Sequence, residues 1–264
     1  MSNFFIRIFS ALVYAMLFIS AILFSAETYI GLLVIFASVC IWELSKIIKL
    51  KSVIPYILIA LAAYISVQKL GFKYNPFLLA INLVGSFILI YLLISSKPII
   101  INTFSRKNFL QFIYLLLPFY FLMNLPFVNN TYHPNIIIYI MLIIWTNDSF
   151  AFLVGKSFGK RKLFEKVSPK KTVEGFIGGL LFSVIAGLII GYYSGILSIL
   201  DWGIIAIIVA IFGSLGDLVE SKLKRQAKVK DSGTIMPGHG GLLDRLDSLF
   251  FLAPFVYLYL HYIV

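Results

Sequence analysis

Long apolar stretches separated by short polar segments run along almost the whole chain. Each approaches the ~20 residues that a helix needs to cross the hydrocarbon core of a bilayer. The apolar residues are continuous rather than alternating, which argues against a transmembrane β-barrel. The pattern predicts an all-α polytopic membrane protein. Its roughly nine transmembrane helices are placed at about residues 4–24, 29–44, 53–68, 76–95, 109–127, 135–155, 175–194, 202–220 and 246–263.

Composition supports this interpretation. Of 264 residues, 61% are hydrophobic and only 12% are charged, whereas a soluble domain carries about 25% charged residues. The mean hydropathy is +0.99. The first stretch resembles a secretory signal because Arg7 precedes it, but its apolar run exceeds the usual 7–15 residues, so we interpret it as the first helix. A single integral membrane domain over residues 1–264 is expected.

The basic residues predict the orientation of the helices. With the spans above, nearly all of them fall on one side, which the positive-inside rule makes cytoplasmic. The N-terminus is then cytoplasmic and the C-terminus lies on the opposite side. Only Lys69 and Lys73 fall on that opposite side. The net charge of +11 is therefore local, and for Lys46, Lys49, Lys51, Lys97, Arg106 and Lys107 topology control and contact with anionic lipid explain it.

Acidic residues are concentrated in the second half of the chain, which holds nine of the eleven. Chemistry is therefore expected in residues 135–264, whereas residues 1–134, with only Glu27 and Glu43, are expected to be mainly scaffold. Cys40 is the only cysteine, which excludes a disulfide within the chain and a cysteine-based zinc site.

Three aspartates are predicted to meet at one membrane depth. Asp217 lies near the end of the eighth predicted span, and Asp244 and Asp247 open the ninth, three residues apart on one helix face. Burying one aspartate in a bilayer costs about 2.5–3.5 kcal/mol, so three together imply a compensating cation. Oxygen ligands favour Mg²⁺, and the predicted metal ligands are Asp217, Asp244 and Asp247. The alternative is a charge cap in which these aspartates pair with Lys222, Lys224, Arg225 and Arg245.

The connection between these two helices is about sixteen residues long, which is typical of a functional or a disordered loop. Its glycines, among them Gly240 and Gly241, let backbone N–H groups approach a phosphate closely. Lys230 and His239 are candidate donors to the same phosphate. For His239, a hydrogen bond that stabilises a turn is an equally good interpretation.

A second basic loop, residues 156–179, lacks the G-x-x-x-x-G-K-[ST] order of a Walker A loop. Positive-inside anchoring explains its Lys160, Arg161 and Lys162. It does not explain a group of polar residues just before the seventh predicted helix, where a helix N-terminus favours an anion. These residues are Ser168, Lys170, Lys171 and Thr172.

Asp148 lies within the sixth predicted span, next to Thr146, Asn147 and Ser149. A lipid-facing position is untenable for a carboxylate, so its side chain is expected to face the bundle interior or a wet cavity. Contact with a substrate and a hydrogen bond between helices both remain open.

Together these residues resemble a known family. The segments Ser221–Arg225, Lys230–Gly233 and Pro237–Asp247 are similar to the signature of the phosphatidate cytidylyltransferases, also called CDP-diacylglycerol synthases. Met236 departs from the leucine, isoleucine or phenylalanine usual in that family but remains apolar. The Asp148 segment and Ser168–Gly175 are also similar, so the resemblance covers most of the chain after about residue 140.

The resemblance implies transfer of a cytidylyl group from CTP to phosphatidate with Mg²⁺, and a second metal ion is an open possibility. It also implies a multi-pass protein of the inner (plasma) membrane with a cytoplasmic site, and a homodimer; no nucleic acid is expected as a partner. The catalytic residues expected are Asp217, Asp244, Lys222 and Arg225. Those expected to bind substrate are Asp148, Ser168, Lys170, Lys171, Thr172, Lys224, Lys230, His239, Gly240, Gly241 and Arg245. Asp247 has an alternative role in orienting Arg245 or a water.

Three other functions are weighed against this one. Transfer from CTP to another lipid phosphate, or to an isoprenoid-ether lipid, fits the same residues. A CDP-alcohol phosphatidyltransferase is disfavoured because its D-G-x-x-A-R pattern does not occur. A transporter would explain the many spans and Asp148, but transporters place charge near the bilayer midplane in two matched halves, whereas here the acidic residues lie in one half.

Overall fold

The computed structural model describes residues 3–68, 75–129, 131–238 and 240–264. Lys69 and Lys73 lie outside these ranges. Helices dominate the described residues. They are α1 (Asn3–Phe24), α2 (Ala26–Ile48), α3 (Ile54–Gln68), α4 (Pro76–Ile94), α5 (Phe104–Gln111), α6 (Leu117–Asn124), α7 (Pro134–Phe158), α8 (Val173–Ser194), α9 (Ile199–Gln226) and α10 (Leu243–Tyr262).

Five helices in the described part of the chain are long and apolar enough to cross a membrane, namely α2, α4, α7, α8 and α9. Apolar but shorter segments occur at Phe9–Phe24 and Ile54–Gln68. The prediction of a helical, multi-pass membrane protein is confirmed at this level. α10 is not among the five, and its first two turns carry Asp244, Arg245 and Asp247.

α2 and α9 extend furthest beyond their predicted bounds. α2 begins at Ala26 because Ser25 caps it, accepting a hydrogen bond from the Thr28 backbone while the Thr28 hydroxyl accepts one from the Ser25 backbone. α9 continues to Gln226 rather than ending near residue 220. The basic residues of its last turn, Lys224 and Arg225, are favourable at a helix C-terminus, so the polar segment after the apolar run stays helical.

The fifth predicted span is one continuous helical segment, in which a π-helical turn at Phe112–Leu116 joins α5 to α6. Pro118 follows this turn and has no N–H to give to a carbonyl of the preceding turn. The Asn82 side-chain amide donates to the carbonyl of Ile113 at 2.8 Å. A polar residue of α4 thus satisfies a backbone group inside the bundle.

Two small antiparallel hairpins, which the hydrophobic pattern does not predict, interrupt the helices. β1 (Phe127–Val128) pairs with β2 (Thr131–Tyr132), and β3 (Lys162–Phe164) pairs with β4 (Ser168–Thr172). The β3–β4 hairpin leads directly into α8, whose N-terminus is capped by the Thr172 hydroxyl. The Glu174 carboxylate accepts hydrogen bonds from the Lys160 and Arg161 backbones, which fixes the hairpin against α8.

α10 packs against both α9 and α6 in the interior of the bundle. The ring of Phe250 lies 5.3 Å from that of Tyr114 and 5.6 Å from that of Phe119, measured between centroids. α7 and α8 also pack against each other, and glycine at their interface lets the two helices approach closely. A Cβ at Gly178 would lie 2.6 Å from a Val154 methyl group, so a larger residue would separate the two helices.

Candidate active site

A cavity of about 920 Å³ lies between α1, α7, β4, α9 and α10. One wall is apolar and includes Leu12, Ala15, Met141, Ile144 and Phe152. Among the described residues, the remaining lining holds six carboxylates and five basic side chains. These are Asp148, Asp217, Glu220, Asp231, Asp244 and Asp247, with Lys156, Lys170, Lys171, Lys224 and Arg245. The cavity is therefore amphipathic, with apolar and charged surfaces side by side.

Three of these carboxylates, from Asp217, Glu220 and Asp247, form a compact group. One oxygen of each lies within 4.8 Å of the others. Asp217 and Glu220 are three residues apart and share a face of α9, while Asp247 comes from the second turn of α10. The antiparallel meeting of these helices was predicted, but Glu220 was not among the expected ligands.

Asp244 lies beside this group with both carboxylate oxygens engaged elsewhere. Its Oδ1 lies 2.5 Å from Lys224 Nζ, and its Oδ2 accepts from the backbone N–H groups of Ser232 and Gly241, each at 2.9 Å. Lys224 Nζ also donates to Glu220 Oε2 at 2.8 Å. The charge-cap alternative thus describes the contacts of Asp244 and Lys224, and the role of Asp244 as a metal ligand stays a prediction.

The carboxylate group fits a hard divalent cation. Four buried or half-buried carboxylates lie here, those of the group and Asp244. In the described part of the chain, Lys224 forms ion pairs with Glu220 and Asp244. Lys171 Nζ lies 2.7 Å from Asp217 Oδ2. Glu220 Oε1 is buried and has no hydrogen-bond partner among the described residues. A buried carboxylate oxygen is costly without a partner, and three clustered oxygens suit Mg²⁺.

The second basic loop reaches this cavity through β4. Lys170, Lys171 and Thr172 line it, and Lys171 forms the ion pair with Asp217. Asp148 lines the cavity from α7 and is exposed there, which agrees with the predicted wet cavity rather than with burial between helices. Ser168 begins β4 opposite Phe164 and is not part of the lining.

Other predicted site residues point away from the cavity or lie at its edge. Lys222 Nζ donates to the carbonyls of Leu92 and Lys97, at 2.5 and 2.6 Å; because α9 is helical here, its side chain leaves on another face than those of Glu220 and Lys224. Its catalytic role stays a prediction. Arg225 donates to the Val229 carbonyl.

The backbone of the glycine-rich loop donates hydrogen bonds to Asp244. The described glycines of this loop are not among the residues that line the cavity. Gly240 has a φ of +91°, a conformation that favours glycine, and a Cβ there would lie 2.9 Å from Asp244 Oδ2. Gly241 donates to the same oxygen. Lys230 is exposed on this loop. His239 lies outside the described residues, so both interpretations of it stand as predictions.

Sequence reasoning missed three acidic residues of this region. The spacing of Glu220 from Asp217 would have placed it on the same face. Asp231 lines the cavity from the loop, next to Lys230 in the signature. Glu43, assigned to the scaffold, is fully buried and accepts hydrogen bonds from the start of α10. Its partners lie about two hundred residues away in sequence, and no local pattern signals such a contact.

Comparison with known proteins identifies relatives of this chain. A family model described as "Cytidylyltransferase family" matches residues 5–263. A phosphatidate cytidylyltransferase of Bacillus subtilis (strain 168) is 42% identical over 180 residues, 64% of either chain. One from Staphylococcus aureus (strain COL) is 50% identical over 120 residues, 45% of this chain and 46% of that protein. The chain thus matches less than two thirds of the length of these relatives.

Proposed function

The chain belongs to the cytidylyltransferase family, and from this premise we propose that it transfers a cytidylyl group from CTP to phosphatidate. The products are CDP-diacylglycerol and pyrophosphate. The resemblance expected from the signature is confirmed at the level of the family. The names of the relatives support phosphatidate as the acceptor.

The observation that carries this proposal is the amphipathic cavity. An apolar wall from α1 and α7 suits the acyl chains of a lipid, and the charged lining beside it suits phosphate groups. A transporter needs a path with two openings, whereas here the charged residues cluster around the ends of α9 and α10. Both substrates of a cytidylyl transfer, one amphiphilic and one polyanionic, find complementary surfaces in the one cavity.

In the proposed mechanism, binding and orientation do most of the work. The attacking phosphate oxygen of phosphatidate is already ionised, so the reaction needs no strong general base. Lys170, Lys171 and Arg245 attract the phosphates and hold the acceptor in line with the α-phosphorus of CTP. The same positive charges stabilise the departing pyrophosphate.

Asp217, Glu220 and Asp247 are the residues that we propose to hold Mg²⁺. Bound there, the cation would neutralise phosphate charge and polarise the phosphoryl group under attack. Asp244 and Lys224 support this group, because Lys224 bridges Asp244 and Glu220. In this proposal Asp217 is a metal ligand, as the sequence predicts, and Asp244 has a supporting position instead of the predicted ligand position.

We also propose nine spans, a cytoplasmic N-terminus and a site open to the cytoplasm of the inner membrane. Three contacts between basic segments support one shared side. Lys107 Nζ donates to the Lys49 carbonyl at 2.9 Å, Lys222 Nζ to that of Lys97 at 2.6 Å, and the Ile99 backbone to the Gln226 side chain. Labelling of single cysteines introduced into loops, in intact cells, tests this topology, and crosslinking tests the homodimer.

The activity is tested by incubating the purified protein in mixed micelles with CTP, phosphatidate and Mg²⁺. CDP-diacylglycerol and pyrophosphate should form in equal amounts. Ether-linked and isoprenoid lipid phosphates, supplied in parallel, distinguish phosphatidate from related acceptors. A folded sample that consumes no CTP with any of these lipids contradicts the proposal, and solute flux in liposomes without nucleotide consumption would favour the transporter.

A further inference from the structure

Glu43 is a buried carboxylate in the predicted scaffold half, and it contacts the loop that carries the signature. It lies in α2 and is 0% exposed. Its Oε1 accepts from the Leu242 backbone at 3.1 Å, and its Oε2 accepts from the Leu243 backbone at 2.8 Å and from the Ser232 hydroxyl at 3.1 Å. A single side chain thus satisfies two backbone N–H groups at the start of α10 and one loop hydroxyl.

The loop is shaped to bring its backbone against this carboxylate. A Cβ added to Gly241 would collide with Ser232 Oγ and lie 2.6 Å from Glu43 Oε2, and one added to Gly233 would lie 2.9 Å from Glu43 Cδ. Gly233 and Gly241 are therefore needed for close approach. A negative charge at this place is also favourable because the first N–H groups of α10 have no helical partners.

The loop residues that Glu43 contacts also hold Asp244. Ser232 and Gly241 donate their backbone N–H groups to Asp244 Oδ2. Asp244 in turn pairs with Lys224, and Lys224 with Glu220 of the carboxylate group. A continuous series of hydrogen bonds and ion pairs therefore runs from α2 to the cavity.

We propose that Glu43 is a positioning residue for the proposed transfer reaction, anchoring the glycine-rich loop and the start of α10 so that Asp244 and Lys224 orient the carboxylate group. The inference rests on the proposed function for its catalytic consequence. The anchoring is independent of it and has its own measurement. Among the described residues, the hydrogen bonds of Glu43 go to Ser232, Leu242 and Leu243, and none of these three lines the cavity. Glu43 therefore acts through other residues.

Glu43→Gln is the decisive variant, because the amide keeps the size of the side chain but turns one acceptor into a donor that faces N–H and O–H donors. Glu27→Gln is its matched control: the same change in the same helix, at an exposed position near the opposite end. Hydrogen–deuterium exchange of the full chain in detergent reports on the loop, residues 227–242, without any substrate. Turnover of CTP and phosphatidate gives kcat and KM separately.

In Glu43→Gln, exchange in the loop and the first turn of α10 should be about ten- to hundredfold faster, with α7 and α8 unchanged. The kcat should fall about ten- to hundredfold with little change in the KM for phosphatidate, since the hydrogen bonds of Glu43 go to the loop and the start of α10 and not to the apolar wall. Glu43→Asp, which keeps the charge, should recover part of both effects. Glu27→Gln should behave as the wild type.

Unchanged loop exchange in Glu43→Gln, or equal effects of the two glutamine variants, overturns the inference. A purely structural role would instead accelerate exchange throughout the bundle. If Glu43→Gln does not fold, Ser232→Ala removes one of its three donors and should give a smaller effect confined to the same loop; its absence also overturns the inference. If the wild type forms no CDP-diacylglycerol, the proposed function fails, and the exchange measurement still decides the anchoring.

Discussion

Replacing Lys224 with methionine is the sharpest test of the charge arrangement at the site. Lys224 is the cation shared by Glu220 and Asp244, at 2.8 and 2.5 Å. Methionine keeps most of the apolar stem and removes the charge. Both carboxylates then lose their cationic partner next to Asp217 and Asp247. Of these two, in the part of the chain that the structure describes, only Asp217 forms an ion pair with another lysine, Lys171, at 2.7 Å.

The expected cost follows from burial. The side chains of Lys224, Glu220 and Asp244 are only 10%, 1% and 8% exposed, so the ~0–1 kcal/mol of an exposed ion pair does not apply. Removing one partner of a buried pair costs about 3–5 kcal/mol, because a buried charge is left uncompensated. We expect a loss of this size in the metal-free protein.

The free energy of unfolding can be measured by equilibrium denaturation in mixed micelles with chelator present. Lys222→Met is the matched control, since Lys222 is also buried on α9 but donates only to carbonyls; it should cost less, about 1–3 kcal/mol. In a Glu220→Gln background, the Lys224→Met cost should shrink by about 0.5–3 kcal/mol. An equal cost for the two lysine variants, or no change in that background, refutes the reasoning.

Three further predictions concern the metal group and the loop. Asp217→Asn should lower kcat by about a hundredfold or more without unfolding the protein. Its control, Asp201→Asn at the other end of α9, should keep the turnover of the wild type. Equal turnover in the two variants would remove Asp217 from the site. Chelation should abolish turnover and Mg²⁺ should restore it, with binding measured separately by calorimetry; activity that survives chelation contradicts a metal role. Gly241→Ala should destabilise the protein by about 1–3 kcal/mol, because the added methyl group overpacks against Ser232 and Glu43. Gly31→Ala is the control, since a Cβ there meets open space, and it should be neutral or slightly stabilising. Thermal unfolding measures both effects.

The sequence predicts the helices well because apolar stretches of spanning length are a strong signal. It also places Asp217 and Asp247 together, since antiparallel neighbours bring their ends to one level. For Asp244 the sequence leaves a metal ligand and a partner of Lys224 open, because spacing alone cannot say which carboxylate of a turn a lysine engages; the ion pair with Lys224 is present, and the metal role stays a prediction. The β3–β4 hairpin is missed since its strands are short and polar, with no alternation that marks one buried face.

α9 explains why residues 1–134 are more than a passive wall. Asp217, Glu220 and Lys224, spaced three and four residues apart, lie on one helix face toward the cavity. Lys222 and Gln226 lie on another face of α9. Lys222 donates to the carbonyls of Leu92, near the end of α4, and of Lys97, in the connection to α5. The Gln226 side chain accepts a hydrogen bond from the Ile99 backbone in the same connection.

The start of α10, the other helix that carries site carboxylates, is held by Glu43 of α2. Each of the two helix ends that form the site is therefore anchored by the first half of the chain. Because the three carboxylate oxygens lie within 4.8 Å of one another and come from both helices, a shift of either anchored helix end would change the spacing between Asp217 and Asp247. Scaffold substitutions at these contacts should therefore lower turnover before they unfold the bundle.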